Sequence, residues 1–357
     1  MAQDFVTNQE IITAARAQLD QHAWNYLSGG AESETTMRRN RLGLDCLAFR
    51  PRVLVDVSNI DTSTAFLGHR LKIPVMLAPI GSLQIITPEG AVAVAKAAEE
   101  FGTVNFVSSV TEPGLEETAA ASRTPKIFQL YVQGDMQWVE QILARVKKAG
   151  YDALCLTVDT AVYGRRERQM MDRYLPPSRR QSGYEHRARL TWETLDAIKE
   201  IAGLPFILKG VATAEDAALA VEHGVAAVYV SNHGGRQLDH GRATIDMLPE
   251  IAAAVAGRAE IVLDGGIVRG SDVVKAVALG ARAVAIGKLQ GWGLGAAGRA
   301  GLVRVLEMLE HEIAVTMGLL GVTRVDQLTP AYICADRPVG PAHEMSAFPN
   351  LPGGRLI

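Results

Sequence analysis

A histidine and an arginine stand three positions apart directly after an apolar run of the chain. The run is Ala226–Val230, and His233 and Arg236 follow it with Gly234 and Gly235 between them. A neutral imidazole accepts a proton near pH 7, a guanidinium holds a carboxylate in a two-point fork, and glycines let a ligand approach the backbone. Oxidation of a 2-hydroxy acid requires these groups. An isolated pair of this kind is also compatible with a loop histidine beside a surface arginine.

Eight short apolar or β-branched runs, each followed by a helix-like stretch, would position this pair. They are Ile73–Ala78, Thr103–Ser108, Lys126–Val132, Ala153–Asp159, Pro205–Lys209, Ala226–Ser231, Glu260–Asp264 and Ala283–Gly287. Eight consecutive strand–helix units predict an α/β fold of the TIM (β/α)8 barrel type. In that fold the loops after the strands build the active site on one face.

Polar side chains stand at or just past the ends of six of these runs. They are Ser108, Gln129, Tyr131, Thr157, Asp159, Lys209, Ser231, His233 and Asp264. Because the carboxyl ends of the strands of a TIM barrel meet on one face, we predict that these side chains share a single site.

Segments outside the eight units predict a cap, a lid and a tail. The predicted single domain, residues 1–357, consists of an N-terminal helical cap (1–65), the barrel (66–336) with a lid after the fourth strand (164–191), and a C-terminal tail (337–357). Gln9–Leu27 has the pattern of one amphipathic helix. The lid segment is long and carries eight arginines, and long loops in compact domains often cover sites. The tail is rich in proline and glycine, which predicts an extended chain.

Charge and composition exclude several classes of function. The formal net charge is −3 and the isoelectric point is near 6.3, so no nucleic-acid partner is expected. No stretch approaches the roughly 18 apolar residues of a membrane-spanning helix, and we predict a cytoplasmic protein without membrane contact. Cys46, Cys155 and Cys334 are scattered singly, which predicts neither disulfides nor a metal site. Redox chemistry would therefore need a bound cofactor.

Glycine-rich turns close the last two units and predict a phosphate site. TIM barrels commonly bind phosphate here, on backbone N–H groups and a helix N-terminus. The candidate residues are Asp264, Gly265, Gly266, Ile267, Val268, Arg269, Gly287 and Lys288. Tight turns also need glycine for their backbone angles, so the motif alone leaves both interpretations open. A phosphate-anchored cofactor in a barrel without a G-x-G-x-x-G unit favours FMN over a dinucleotide.

The run Ser231–Asp239 reads Ser-Asn-His-Gly-Gly-Arg-Gln-Leu-Asp and resembles the signature of the FMN-dependent 2-hydroxy acid oxidases and dehydrogenases. The resemblance extends from about residue 4 to about residue 336. It implies a flavin enzyme, assembled as a homotetramer, with the backbone of Pro79, Ile80 and Gly81 covering the flavin. Further cofactor contacts that it implies come from Ser108, Gln129, Tyr131, Thr157, Lys209 and Ser231, besides the phosphate-site residues named above.

The same resemblance implies a role for each residue of the substrate site. His233 would accept a proton, Asp159 would pair with it, and Tyr131 would contact the substrate oxygen. Lys209 would lie at N1 and the C2 carbonyl of the flavin. The residues that would hold the substrate carboxylate are Arg236, a mobile Arg166 and Tyr26.

Several positions depart from the family pattern near the expected ligands. Ile80 and Gly81 stand where the family usually has Thr-Ala, so one side-chain hydroxyl near the flavin is absent. Val268 stands where the family usually has a phosphate-facing arginine, and Lys288 replaces a second arginine with an ammonium group. Arg269 matches the next arginine of the family motif. Val110 stands where plant glycolate oxidases carry tryptophan. We therefore predict weaker FMN binding and more space above the substrate.

Two other functions stay open on the sequence alone. The same barrel could oxidise an amine or a modified peptide with FMN, or it could bind FMN without turnover. A base oriented by a carboxylate argues against a binding protein, because binding alone needs no base. Oxygen, a quinone and a carrier protein are all compatible with these residues as the acceptor of electrons from reduced FMN.

Overall fold

Three helices precede the barrel in the computed structural model, which describes residues 2–180 and 183–357. They are α1 (Asn8–Gln18), α2 (Gln21–Ser28) and α3 (Thr35–Asp45), and the short strand β1 (Leu47–Phe49) follows them. Met1 of the predicted cap and Gln181 and Ser182 of the predicted lid lie outside the described residues.

The predicted single helix Gln9–Leu27 is wrong, because the chain breaks it at Leu19 and Asp20. Asp20 takes an extended backbone, and its carboxylate accepts a hydrogen bond of 2.7 Å from the Ala23 N–H. An aspartate at this N-cap position satisfies a backbone donor that the helix itself leaves unpaired. The amphipathic pattern therefore spans two helices, α1 and α2.

Eight parallel strands form the closed barrel, after a hairpin of β2 (Thr64–Phe66) and β3 (His69–Leu71). They are β4 (Val75–Leu77), β5 (Asn105–Ser108), β6 (Lys126–Leu130), β7 (Ala153–Thr157), β8 (Phe206–Val211), β9 (Ala227–Val230), β10 (Glu260–Leu263) and β11 (Ala283–Ile286). They follow chain order around the barrel, and β11 pairs with β4 to close it. Every predicted run overlaps one of these strands, so the predicted TIM barrel is confirmed.

Helices surround the barrel, and two short helices lie in the lid. The barrel helices are α4 (Gly90–Phe101), α5 (Leu115–Ala120) and α6 (Met136–Lys148); α7 (Glu167–Met171) and α8 (Tyr184–Ala188) belong to the lid; α9 (Trp192–Ala202), α10 (Ala214–Glu222), α11 (Thr244–Val255), α12 (Gly270–Ala278) and α13 (Lys288–Leu320) complete the ring. The last strand, β12 (Ile333–Ala335), pairs with β1. No helix in the described part of the chain is long and apolar enough to cross a bilayer.

Both faces of the barrel strands are buried, which explains why the strands read as continuous apolar runs. Alternate side chains fill the interior of the barrel, including Phe106, Ile127, Cys155, Ile207 and Tyr229. The side chains between them point outward and pack against the helices. This two-sided packing fixes the strand ends that carry the polar residues.

The C-terminal tail is compact and not extended, contrary to the prediction. Met345, Phe348 and Leu351 are buried against the main core. These apolar side chains recur every third residue in a series of turns, so the tail can bury them on one side.

Candidate active site

The carboxyl ends of the barrel strands open into one cleft, and the lid forms part of its wall. Most of the predicted site residues line this cleft: Tyr26, Pro79, Ile80, Gly81, Tyr131, Arg166, Lys209, His233, Arg236, Asp264, Gly265, Gly266, Ile267, Val268, Gly287 and Lys288. Five further predicted residues form hydrogen bonds at the strand ends: Ser108, Gln129, Thr157, Asp159 and Ser231. The structure therefore brings together residues from the cap and from the ends of all eight strands.

His233 and Asp159 form a hydrogen-bonded pair. His233 Nδ1 lies 3.0 Å from Asp159 Oδ1, and its Nε2 lies 3.4 Å from the hydroxyl of Tyr131. A proton on Nδ1 is shared with the carboxylate, which leaves Nε2 to accept a proton from a ligand. His233 has φ +59°, and its N–H donates to Ser231 Oγ at 3.0 Å. The strand end thus holds the imidazole in one orientation.

A glycine in β8 makes room for this carboxylate. Gly210 has φ +108°, and a Cβ atom there would lie 2.7 Å from Asp159 Cβ and 2.9 Å from Asp159 Cγ. Any other residue would push the carboxylate away from its histidine. Gly210 was not among the predicted site residues, although it follows Lys209 directly.

Burial and charge set the protonation of the pair. Burial lowers the pKa of His233, and the charge of Asp159 offsets only part of that effect. Burial acts to raise the pKa of Asp159, but His233 and Lys209 outweigh it and hold this pKa below its ordinary value. At neutral pH the pair is therefore a neutral imidazole beside a charged carboxylate, which is the state of a general base.

Lys209 forms a buried network with Ser231 and Asp264. Its Nζ donates to Ser231 Oγ at 2.7 Å and lies 3.4 Å from Asp264 Oδ2, and the serine hydroxyl donates to Asp264 Oδ1 at 2.7 Å. Burial acts to lower the pKa of Lys209, but Asp264 and then Asp159 raise it above its ordinary value. The lysine stays cationic at the cleft, where it can stabilise negative charge on a ligand.

Three neighbouring strands carry a chain of polar side chains. Ser108 Oγ donates to Gln129 Oε1 at 2.7 Å, and Gln129 Nε2 donates to Thr157 Oγ1 at 2.9 Å. All three side chains are buried. Their remaining donor and acceptor positions suit the edge of a flat heteroaromatic ring, which presents alternating donors and acceptors.

Arg236 and Arg166 enter the cleft, and in the described part of the chain neither forms an ion pair with a carboxylate. Arg236 Nη1 donates to the Gly29 carbonyl at 2.8 Å, and Arg166 Nε donates to the Arg236 carbonyl at 3.2 Å. Burial and then the charge of Arg166 lower the pKa of Arg236 to about 10. The Tyr26 ring centroid lies 5.2 Å from the Arg236 guanidinium carbon. Two cations beside a phenol form a binding site for a carboxylate.

Glycines surround the other end of the cleft. Gly265 and Gly266 have φ +104° and +81°, and a Cβ atom added to Gly287 would meet no atom within 4 Å. Lys288 supplies a cation there, and its Nζ donates to two backbone carbonyls at the end of α2. Burial, and then the charge of Arg236, lower the pKa of Lys288 well below its ordinary value. A bound anion would favour the charged form of this lysine.

The side chain of Arg269 does not reach the cleft, contrary to the prediction for the phosphate site. Its Nη1 pairs with Glu312 at 2.8 Å, and its Nε and Nη2 donate to the Ala347 carbonyl. Its guanidinium carbon lies 4.5 Å from the centroid of the Phe348 ring. The folded tail and α13 therefore hold this arginine outside the site, while Val268 lines it.

Sequence reasoning missed several residues that line the cleft from the lid and the tail. They are Tyr163, which directly precedes the lid, Ser178, Tyr184 and Arg187 of the lid, and Glu344 of the tail. The only signal in the sequence was the high arginine content of the lid. It indicated the lid as a whole and did not distinguish Arg187 from the other arginines.

Glu344 belongs to a cluster of four charged residues that joins the tail to the cap and the lid. Arg168 and Arg355 each lie 2.6 Å from Glu34, and they lie 3.5 and 3.1 Å from Glu344. Glu344 is buried. This cluster fixes the tail beside the predicted phosphate end of the cleft.

The residues of the cleft fit a flavin mononucleotide. The polar chain through Gln129 suits the ring system, and Lys209 supplies a cation next to it. Gly265 and Gly266 leave backbone exposed to a phosphate, and the partly buried Lys288 has no carboxylate partner among the described residues.

Comparison with known proteins also indicates an FMN-dependent enzyme. The profile of the family described as FMN-dependent dehydrogenase matches residues 15–335. Glycolate oxidase 1 of Oryza sativa subsp. indica is 40% identical over 355 residues, covering 93% of this chain and 96% of the relative. The L-lactate oxidase of a Nostoc species is 39% identical over 347 residues, covering 89% and 95%.

A solved structure of mandelate oxidase with (S)-2-phenylpropionate has a TM-score of 0.87 and 36% identity, and the match covers 94% of this chain and 100% of the other. The barrel, the shared cleft and these matches over nearly the whole chain agree with one another. This chain belongs to the family of FMN-dependent 2-hydroxy acid oxidases.

Proposed function

We propose that this enzyme oxidises an L-2-hydroxy acid to the corresponding 2-oxo acid. The observation that carries the proposal is that a neutral histidine, oriented by a partly buried carboxylate, shares a cleft with two arginines that lack a carboxylate partner among the described residues. A proton acceptor beside an anion site matches the hydroxyl and carboxylate of such a substrate.

Arg236 and Arg166 would hold the substrate carboxylate from two sides. Two fixed guanidinium groups leave a bound acid little freedom to rotate, so its hydroxyl-bearing carbon is presented in one orientation. Tyr26 adds a phenol next to Arg236, with its own hydroxyl hydrogen-bonded to the Gly81 carbonyl at 2.7 Å. The contribution of these residues is binding and alignment.

His233 would accept the substrate proton at Nε2 while bound FMN supplies the two-electron acceptor. The Tyr131 hydroxyl, 3.4 Å from that nitrogen, would contact the substrate oxygen. Asp159 would stabilise the imidazolium that forms, because it already shares the Nδ1 proton. Lys209 would stabilise negative charge that develops on the ring system beside it.

Anaerobic mixing with a panel of L-2-hydroxy acids tests this proposal. Glycolate, lactate, mandelate and a long-chain 2-hydroxy acid are each added to the FMN-loaded enzyme, and bleaching of the flavin absorption is followed. We expect at least one to bleach the flavin within seconds. If the flavin is fully bound and none does so, oxidation of an amine or a modified peptide replaces this proposal. Oxygen or a quinone, added to the reduced enzyme, then identifies the electron acceptor.

The assembly and location predicted from the sequence remain proposals. A homotetramer rests on resemblance, and light scattering of the purified enzyme tests it. A cytoplasmic location rests on the amino-acid sequence, whereas plant relatives at 38 and 39% identity are named peroxisomal. Microscopy of the tagged protein in its own host tests the location.

Val268→Arg should slow the loss of FMN during dialysis by about tenfold, the scale of one added charge-assisted hydrogen bond to a phosphate. Val268 lines the cleft close to the glycine turn, so an arginine there can reach a phosphate group. Released FMN is measured by its fluorescence.

Two comparison variants make the Val268 result specific. Lys288→Met should speed the loss of FMN, because Lys288 supplies a cation at this end of the cleft. Arg269→Met should leave it unchanged, because Glu312 and Ala347 hold Arg269 elsewhere. Faster loss from Arg269→Met would contradict our assignment of the phosphate end.

A further inference from the structure

We propose that Arg187 binds a second anionic group, so that the preferred substrates are 2-hydroxy acids whose side chain ends in a carboxylate. The inference rests on the proposed function and specifies its substrate class. It is carried by a buried guanidinium in the substrate cleft whose two N–H groups along one edge have no partner in the described part of the chain.

Arg187 lies one aromatic ring away from the proposed base. It belongs to α8 of the lid and is 6% exposed. Its guanidinium carbon lies 4.5 Å from the centroid of the Tyr131 ring, and the hydroxyl of the same tyrosine lies 3.4 Å from His233 Nε2. A substrate held at His233 would therefore direct a short side chain towards Arg187.

The unpaired atoms of Arg187 are Nε and Nη2. These two nitrogens form one edge of the guanidinium plane, the edge that donates two parallel hydrogen bonds to a carboxylate. The rings of Tyr131 and Tyr184, each 4.5 Å from the guanidinium carbon, occupy other positions around the group. The chain thus contacts this arginine, but the described residues supply no hydrogen-bond acceptor to the buried nitrogens of its carboxylate-binding edge.

Other charged residues of the cleft already have a counter-charge or a proposed ligand. Lys209 has Asp264, and Arg41 has Asp272 at 2.7 Å. Arg236 and Arg166 are assigned to the 2-hydroxy carboxylate, and Lys288 lies at the phosphate end. Burial lowers the pKa of Arg187, and the groups that oppose this are all tyrosines.

An unpaired buried guanidinium is costly, so an anion that enters with the substrate would relieve an existing penalty. Other arginines of the lid do not offer this. Arg168 pairs with Glu34 at 2.6 Å, and Arg165 lies 3.4 Å from Glu167 at the surface. Arg179 lies over the Tyr163 ring and does not line the cleft. Arg187 is therefore suited to recognise the far end of a substrate.

The test compares dicarboxylic substrates with neutral ones of the same length. L-malate and L-2-hydroxyglutarate are set against L-2-hydroxybutyrate and L-2-hydroxypentanoate, and kcat/KM for flavin reduction is measured. We expect kcat/KM for the better diacid to be at least about tenfold higher than kcat/KM for its neutral counterpart, which is the scale of a charge-assisted bidentate contact. In Arg187→Met this preference should disappear, because kcat/KM should fall at least about tenfold further for the diacids than for the neutral acids.

Arg179→Met is the matched control, since it removes a lid arginine that stacks on a tyrosine, Tyr163, but does not itself line the cleft. It should keep the diacid preference. Arg187→Lys, which retains the charge without the two-point edge, should keep only part of it. Flavin content and melting temperature of each variant establish that the lid variants are folded.

A binding measurement separates recognition from catalysis. Succinate and glutarate, which have no hydroxyl group to oxidise, should perturb the flavin absorption of the wild-type enzyme at concentrations at least about tenfold lower than butyrate and pentanoate do. Arg187→Met should abolish that difference.

The outcomes distinguish the two proposals. If neutral 2-hydroxy acids bleach the flavin as well as the diacids do, or if Arg187→Met slows both classes equally, Arg187 has a structural stacking role and the inference is wrong while the proposed function stands. If neither class bleaches a fully bound flavin, the proposed function fails, and the inference fails with it.

Discussion

Replacing His233 with asparagine should slow reduction of the flavin by substrate at least about a hundredfold, the usual scale for loss of a positioned general base. The amide of asparagine cannot accept the proton that Nε2 accepts, whereas the arginines that hold the substrate remain. Stopped-flow absorption measures the rate, and its dependence on substrate concentration gives the dissociation constant. We expect that constant to change by only a few fold.

His240→Asn is the matched control for this variant. His240 lies in the same loop, also has positive φ, and its side chain is 65% exposed. Flavin reduction should be unaffected there. Near-normal reduction in His233→Asn would show that another group accepts the proton, and our assignment of the base would then be wrong.

The pH dependence of the wild-type enzyme follows from the same histidine. Burial holds the pKa of His233 below its ordinary value of 6.5, and only the neutral ring can accept a proton. The value of kcat/KM should therefore stay level through pH 7 and fall as the pH drops through this lowered pKa. A fall that begins clearly above pH 6.5 would contradict a lowered pKa in the free enzyme.

Replacing Arg236 with lysine should lower kcat/KM by about a hundredfold, although the positive charge is kept. An ammonium group is a point charge and cannot hold the two carboxylate oxygens in the plane that a guanidinium imposes. The substrate would then bind more weakly and with its reacting carbon displaced. We expect KM to rise and the limiting rate of flavin reduction to fall together.

Arg242→Lys serves as the comparison for Arg236→Lys. Arg242 is exposed and pairs with Glu250 at 2.7 Å, so the same chemical change there should leave kinetics unaltered. If Arg236→Lys retained kcat/KM within about threefold, the carboxylate would be held mainly by Arg166, and Arg236 would serve the cap through its bond to the Gly29 carbonyl.

Local pattern was sufficient for the barrel and for the residues at the strand ends. Apolar runs with two buried faces have a signal within the run itself, and a closed parallel barrel brings their carboxyl ends to one face. For that reason the sequence alone assigns His233, Asp159 and Lys209 to one site. The break at Asp20 was the exception, because a capping aspartate there ends one amphipathic pattern and begins another.

The scaffold, the family and the residues carried by the strands therefore follow from the amino-acid sequence. Beyond Arg236 and Arg166, contacts between distant parts of the chain determine which arginines face the cleft. Arg269 is held outside the cleft by Glu312 and the tail, and Arg168 forms an ion pair with Glu34. Arg187 lies over the Tyr131 ring without an ion-pair partner among the described residues. Strand positions follow from short-range periodicity, but the direction of a long flexible side chain depends on which partner, distant in sequence, the fold places within its reach.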